Sequence, residues 1–305
     1  MKSRLDSFLA QLEETATPFF SQIQRTRDQN KPAFDDIGEF AIKLAEIQLG
    51  DGYLDHLIEG YCAFVLDVNR SQLEYEATRR YRHSSFNEVF AEVYDDPEFM
   101  SLYHWGVFVT TFAWEHHLKI AEFYRKDFLP LFTDVELPTL LDLGCGSGIW
   151  HLLAHREIPG LSSTGIDISK TSVMMAETLA MKLSLSDRAK YMVTDAMTFQ
   201  ADSPFTAGVS CFLLEHLEEP QKLLHGLSNA LQDGAYAFVT CALTAAEIDH
   251  IFEIKHEHEI ARMVYDAGFR LMKLLSASPT HFPKDRHYLA RSVAMILQKR
   301  HNEIW

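Results

Sequence analysis

Between Thr139 and Trp150 the chain reads TLLDLGCGSGIW, and few folds accommodate that stretch. An apolar run (Leu140, Leu141, Leu143) stops at three glycines, Gly144, Gly146 and Gly148, separated only by Cys145 and Ser147. A helical pattern starts at Ile149 and continues through Leu152, Leu153 and Ala154. A buried strand that turns at once into a helix aims backbone N–H groups and the positive helix end at a ligand. A Cβ at such a turn blocks both the left-handed backbone and the approach of the ligand, so glycine is required. Dinucleotide-binding sheets and other nucleotide-binding sheets both use turns of this kind, and the residues downstream have to separate them.

From Leu137 onward, short apolar runs alternate with helical stretches, the pattern of a parallel sheet with crossover helices. Strands are expected at Leu140–Leu143, Ser163–Ile166, Ala189–Val193, Gly208–Leu213, Ala235–Thr240, Arg270–Ser276 and Ser292–Gln298. Helices are expected at Ile149–His155, Ser172–Leu183, Pro220–Leu231 and Glu257–Ala267. Only the loop from Pro279 to Arg291 joins the last two strands, which predicts an antiparallel pair at one sheet edge. Residues 134–305 therefore read as an α/β domain: a seven-stranded, mostly parallel sheet with helices on both faces and an antiparallel last strand.

Residues 1–133 read as an all-helical N-terminal domain. Phe8–Glu14, Ile37–Leu49, Leu54–Val68 and Ser84–Tyr94 carry apolar residues at three-and-four spacing. Breaks fall at Pro18, Asn30–Lys31–Pro32, Gly50–Asp51–Gly52 and Asp95–Asp96–Pro97, the last a helix start with an aspartate cap and proline in the first turn. Glu98 to Phe128 predicts one long helix, polar only along Glu115, Lys119, Glu122 and Lys126. A helix so apolar should be buried on two sides, between the helical bundle and the sheet.

The composition narrows the partners. Of 305 residues, 47% are hydrophobic and 23% charged, as in ordinary soluble proteins. No apolar run reaches the roughly 18 residues of a membrane span. The start MKSRLDSFLAQLEE is amphipathic and unlike a signal peptide, so a cytoplasmic location and no membrane partner are expected. A formal charge of −15 argues against nucleic acid, whose phosphates call for a basic face. Cys62, Cys145, Cys211 and Cys241 are widely spaced, form no CxxC pair and read as buried or small-residue thiols. The charge does not identify the partner, since it mainly aids solubility, and the aromatic-rich helical half is compatible with a homodimer.

Asp167 closes the second strand, where an acid accepts both hydroxyls of a ribose lying across the strand ends. After the third strand, Asp195 and the backbone of Ala196 and Met197 are placed to read an adenine edge. Asp142 is placed to orient the turn or a ligand's amino group. The fourth strand runs out in Phe212–Leu213–Leu214–Glu215–His216–Leu217. The glycines do not meet the dinucleotide fingerprint G-x-G-x-x-G.

Over roughly Leu137 to Lys299 this set resembles the class I S-adenosylmethionine-dependent methyltransferases, through LLDLGCGSG, GIDIS, YMVTDAM, LLEHLEEP, LQDGAYAFVT and DAGFR. The resemblance implies S-adenosyl-L-methionine as cofactor. Asp142, Gly144, Cys145, Gly146 and Gly148 would lie at its methionine end, Asp167 at the ribose, and Asp195 with Ala196 at the adenine. Ile168 and Met197 would supply apolar contacts to the ring, and Phe212 would touch the cofactor from the fourth strand. Thr206–Ala207–Gly208 stands where the family often has an aspartate, a departure that bears on strand-end packing.

Methyl transfer from a sulfonium is an in-line displacement that needs the nucleophile about 3 Å from the methyl carbon and a place for its proton. His216 and Glu215 are the candidate catalytic residues; the alternative is that both only serve the turn. On the long apolar helix, Tyr103, Trp114 and His117 are candidates for the substrate wall, the alternative being core packing and hydrogen bonds between helices. His250, His256, His258, His281 and His287 could join His216 around a metal. No clustered carboxylates at strand ends are evident, and His256 and His258 are expected to project apart, so no metal ligands are assigned. The expected function is methylation of a small-molecule metabolite, in specialised metabolism, at an oxygen, nitrogen or carbon acceptor, with the helical half roofing the pocket. The alternatives are a non-catalytic cofactor-binding interaction protein and a metal-assisted C-methyltransferase of a 2-oxo acid.

Overall fold

The computed structural model describes residues 2–281 and 291–301. Its seven strands are β1 (Thr139–Leu143), β2 (Ser162–Asp167), β3 (Ala189–Val193), β4 (Phe205–Cys211), β5 (Leu231–Leu243), β6 (Phe269–Ala277) and β7 (Arg291–Lys299). They form one sheet in the order β3-β2-β1-β4-β5-β7-β6. The β1–β2, β1–β4, β2–β3 and β4–β5 pairs are parallel, and β7 runs antiparallel to both β5 and β6. The expected edge pair is therefore present, with β6 outermost. Part of its connecting loop, including His287, lies outside the described residues.

Strand β1 shows why the apolar runs are continuous instead of alternating. Leu140 faces one core, shared with the N-terminal helices, while Leu141 and Leu143 face a second core on the other side. Central strands buried on both faces read this way. Strand order reverses between β1 and β4, the point at which open α/β sheets bind ligands beyond their carboxyl ends. Strand β4 starts earlier than expected and ends at Cys211, because Phe212 takes a left-handed conformation (φ 53). The departure at Thr206 has a packing answer: its hydroxyl accepts from the Thr139 N–H at 2.8 Å and its own N–H donates to the Thr139 hydroxyl at 3.0 Å. Helices α8 (Ile149–Glu157), α9 (Lys170–Lys182), α10 (Pro220–Ala230) and α11 (Glu257–Asp266) complete the sheet half.

The N-terminal helices are α1 (Arg4–Thr15), α2 (Thr17–Gln29), α3 (Lys31–Leu49), α4 (Tyr53–Thr78), the single turn α5 (Phe86–Val89), α6 (Pro97–Ala113) and α7 (Glu115–Phe123). Asp96 caps α6, accepting from Glu98 N–H and Phe99 N–H at 2.9 and 3.1 Å. The single helix expected through Phe128 is broken: Trp114 is extended (φ −92, ψ 126) and the chain restarts as α7. Just before the break, the Thr110 and Thr111 hydroxyls both donate to the Val107 carbonyl, a back-bonding that bends helices. Burial on two sides holds nonetheless, with α6 against α3 and α4 and α7 against β6 and β7. One continuous core runs from Phe34 and Phe112 to Leu140, Phe238 and Ile296, across the position where the helical half gives way to the sheet. No helix among the described residues is long and apolar enough to cross a membrane.

Candidate active site

Three left-handed glycines shape the turn after β1: Gly144 (φ 74), Gly146 (φ 53) and Gly148 (φ 83). A Cβ on Gly144 would also sit 2.6 Å from the Leu213 side chain, so alanine there is both strained and crowded. Gly144 N–H and Cys145 N–H donate to the Ile166 carbonyl at 2.8 and 3.0 Å, tying the turn to β2. At the end of β2, Asp167 accepts from Gly146 N–H at 2.8 Å and from Ser169 N–H at 2.9 Å. Burial lifts the Asp167 carboxyl above its ordinary range, against the pull of these donors. Beneath the turn, Asp142 is buried with Oδ2 unpartnered, and burial together with the Asp167 charge pushes it up to about 8.

A cavity of about 520 Å³ opens from this turn. Gly144, Cys145, Gly146, Asp167, Ile168, Asp195, Ala196, Met197 and Phe212 line one end of it, and Tyr103, His117, Glu215 and His216 stand on its other walls. Asp142, Gly148 and Trp114 stand outside the lining. Gly148 packs toward Tyr191 and Ala176, where a Cβ would lie 3.1 to 3.2 Å from its neighbours. Trp114 is core-like, its ring 5.7 Å from Phe64 and 5.0 Å from His117. The helix break at Trp114 brings His117 within 4.8 Å of the Phe212 ring. His104 leans over the glycine turn, its Nε2 at 2.6 Å from the Ser172 hydroxyl, and burial depresses it to about 4.

At the far end, the loop after β4 meets the segment after β5. Glu215 Oε1 accepts from Ala242 N–H at 2.8 Å, and the Glu215 carbonyl accepts from Ile251 and Phe252 N–H. Its second oxygen, Oε2, is buried without a partner. His216 Nδ1 lies 3.2 Å from Asp249 Oδ2 and 3.3 Å from the Tyr94 hydroxyl, which itself donates to Asp249 Oδ2 at 3.0 Å. Burial alone would lower His216, but the charge and hydrogen bond of Asp249 outweigh it and lift the imidazole to about 10. His250 stands beside it, ring centroids 4.9 Å apart, with Nδ1 at 2.9 Å from the Ala245 carbonyl.

Tyr94, Glu247 and Asp249 were not singled out from sequence. The one signal for the latter two was an acidic Glu-x-Asp-His run directly past the carboxyl end of a central strand, where such sheets bind ligands. The expectation that no carboxylates cluster at strand ends is corrected: Glu215, Glu247 and Asp249 converge on His250. His256 and His258 also differ from expectation. Because His256 is the cap of α11 and not part of its helix, the two exposed rings stack 5.4 Å apart, away from the cavity. His281 is exposed a few residues past the end of β6.

Comparison with known proteins points to the same fold. A family model described as a methyltransferase domain matches residues 140–234. A ubiquinone biosynthesis O-methyltransferase of Chromobacterium violaceum is 25% identical over 114 residues, covering 37% of this chain and 48% of that protein. The chain spans about half the length, or less, of the curated relatives it matches. Among solved structures, the mitomycin 7-O-methyltransferase MmcR superposes over 84% of this chain and 75% of its own, with 15% identity and a TM-score of 0.56. The Haemonchus contortus phosphoethanolamine N-methyltransferase 2, in complex with S-adenosyl-L-methionine, covers 72% of this chain and 61% of its own, with 16% identity and a TM-score of 0.53.

Proposed function

We propose that this chain, which carries the class I S-adenosylmethionine-dependent methyltransferase fold, methylates a small-molecule metabolite of specialised metabolism. The observation that carries this reading is the single cavity joining the glycine turn and Asp167 to Glu215, His216 and Tyr94. When bound, S-adenosylmethionine supplies a methyl group on a positively charged sulfur. The chain's residues fit it: left-handed Gly144 and Gly146 keep the backbone of the turn open to the cavity, Asp167 faces it, and Ile168, Ala196 and Met197 offer apolar surface beside Asp195.

The two candidate proton handlers take different parts. His216 has Nδ1 engaged by Asp249 and Tyr94, which keeps the ring protonated and suits it to hold an acceptor atom by donation. Glu215 keeps one unpartnered oxygen in a buried position, where a carboxylate is a stronger base than in water. Glu215 therefore receives the proton-accepting role and His216 the orienting one. Helices α4 and α6 supply Phe64, Met100, Tyr103, Val107 and Thr110 as a largely apolar roof, which supports residues 1–133 as the acceptor-selecting part.

The rival reading, a cofactor-binding interaction protein, calls for an acceptor space filled by the roof's own side chains. The open volume beside Glu215 and His216 supports turnover instead. Calorimetry with S-adenosylmethionine and S-adenosylhomocysteine tests the first half of the proposal. Transfer of labelled methyl to hydroxylated, amino and acidic aromatic metabolites tests the second. Folded protein that takes up neither nucleoside ends the proposal.

A further inference from the structure

At the roofed end of the cavity there are more buried acceptor atoms than donors to meet them. Asp249 is fully buried; its Oδ2 is held by Tyr94 and His216, yet its Oδ1 has no partner. Glu215 is in the same position, with Oε1 on Ala242 N–H and Oε2 buried alone. His250, also buried, faces a carbonyl through Nδ1, and a carbonyl only accepts. The ring proton is therefore on Nδ1, and Nε2 is a bare lone pair. Imidazoles that bind metals are held in this way, the second N–H fixed on a carbonyl or carboxylate.

The ligand atoms of Glu247, Asp249 and His250 lie within 4.8 Å of one another, as do those of Glu215, His216 and His250. All five residues line the cavity. An ion with bonds of about 2.1 Å holds its ligands about 3 to 4 Å apart, so small side-chain rotations close the first set around one ion. Buried carboxylates are stable only when paired, hydrogen-bonded or on a metal, and two oxygens here have neither of the first two.

We propose that Glu247, Asp249 and His250 bind one divalent transition-metal cation, with Glu215 beside it left free to accept the proton. A donor set of carboxylates and one imidazole suits Mn²⁺, Fe²⁺ or Zn²⁺ better than Ca²⁺ or Mg²⁺, which take oxygen alone. Its remaining positions open on the cavity, where a bound hydroxyl becomes more acidic. The site thus favours an oxygen acceptor, a statement that rests on the methyl-transfer reading; the binding itself does not.

The full chain, stripped with chelator and dialysed, is titrated with Mn²⁺, free ion being read by electron paramagnetic resonance, and with Zn²⁺ by calorimetry. One ion per chain is expected. Glu247→Gln and His250→Ala should each weaken it about ten-fold or more, while His258→Ala, which breaks the exposed histidine pair, leaves it unchanged. Circular dichroism melts establish that the variants fold, and Glu247→Gln carries the test should His250→Ala fail to. No stoichiometric binding, equal affinity in Glu247→Gln, or loss confined to His258→Ala overturns the site. Metal uptake without cofactor uptake would overturn the methyl-transfer reading and leave the site standing.

Discussion

Asp167 is the residue whose contribution can be read most directly. Its carboxylate meets two backbone N–H groups and faces the cavity, so Asp167→Ala should weaken S-adenosylmethionine binding by about 1 to 3 kcal/mol. Calorimetry decides it, and unchanged affinity removes Asp167 from the ribose. On the acceptor side, Glu215→Gln keeps the shape and the Ala242 hydrogen bond while abolishing the base. It should lower kcat about 100-fold or more with cofactor affinity retained, and His216→Ala should raise the acceptor's KM more than it lowers kcat. Undiminished turnover in Glu215→Gln would move the proton elsewhere. That the glycine turn, Asp167 and Asp195 share one cavity was legible in sequence because each is placed by its own stretch of backbone. The Tyr94–His216–Asp249 contacts were not, since three segments far apart in the chain meet only in the tertiary fold.

Among elements, the α4–α6 crossing is the tightest. A Cβ on Gly106 would lie 2.5 Å from the Phe64 Cβ and 2.9 Å from the Gly60 carbonyl; one on Gly60 would lie 2.8 Å from the Leu102 carbonyl. Backbone meets backbone there, and neither side can yield by rotating a side chain. Gly106→Ala should therefore cost stability by about 1 to 3 kcal/mol, despite alanine's better helix propensity, and should disturb the Phe64–Tyr103 wall of the cavity. Chemical denaturation measures the first effect; a wild-type midpoint would show that the helices can part. Helix periodicity identified α6 well and missed its end at Trp114, since threonine back-bonding and ring packing, rather than a proline or glycine, break it there. Strand alternation with helices, by contrast, placed all seven strands, because crossover length dictates which strands are parallel.

For the molecule as a whole, buried imidazoles set the response to acid. Burial depresses His104 and His155 to about 4 and His151 to about 3, the last two sharing the Ser163 hydroxyl. Unfolded, each takes its proton near pH 6.5, so below that value the unfolded chain binds more protons. Their stability contribution is complete above pH 6.5 and is lost as pH falls toward 4. Asp142, lifted to about 8, Glu247, also lifted, and His216, lifted to about 10, work in the opposite sense, so the net loss sets in only below about pH 6, where His116 and His250, depressed to about 4 and 3, add to the other three rings. The denaturant midpoint should fall from pH 6 to pH 5, and a flat profile there would contradict the burial of these rings. Because a common core spans the helical and sheet halves, the roof cannot lift as a hinged flap without tearing apolar contacts such as those of Phe123, Tyr124 and Phe128 with Phe238. A smaller contact at the cavity rim is easier to open. The segment around the short turn α5 meets the sheet half through the Phe86 N–H on the exposed Glu218 carboxylate, a latch that water can replace.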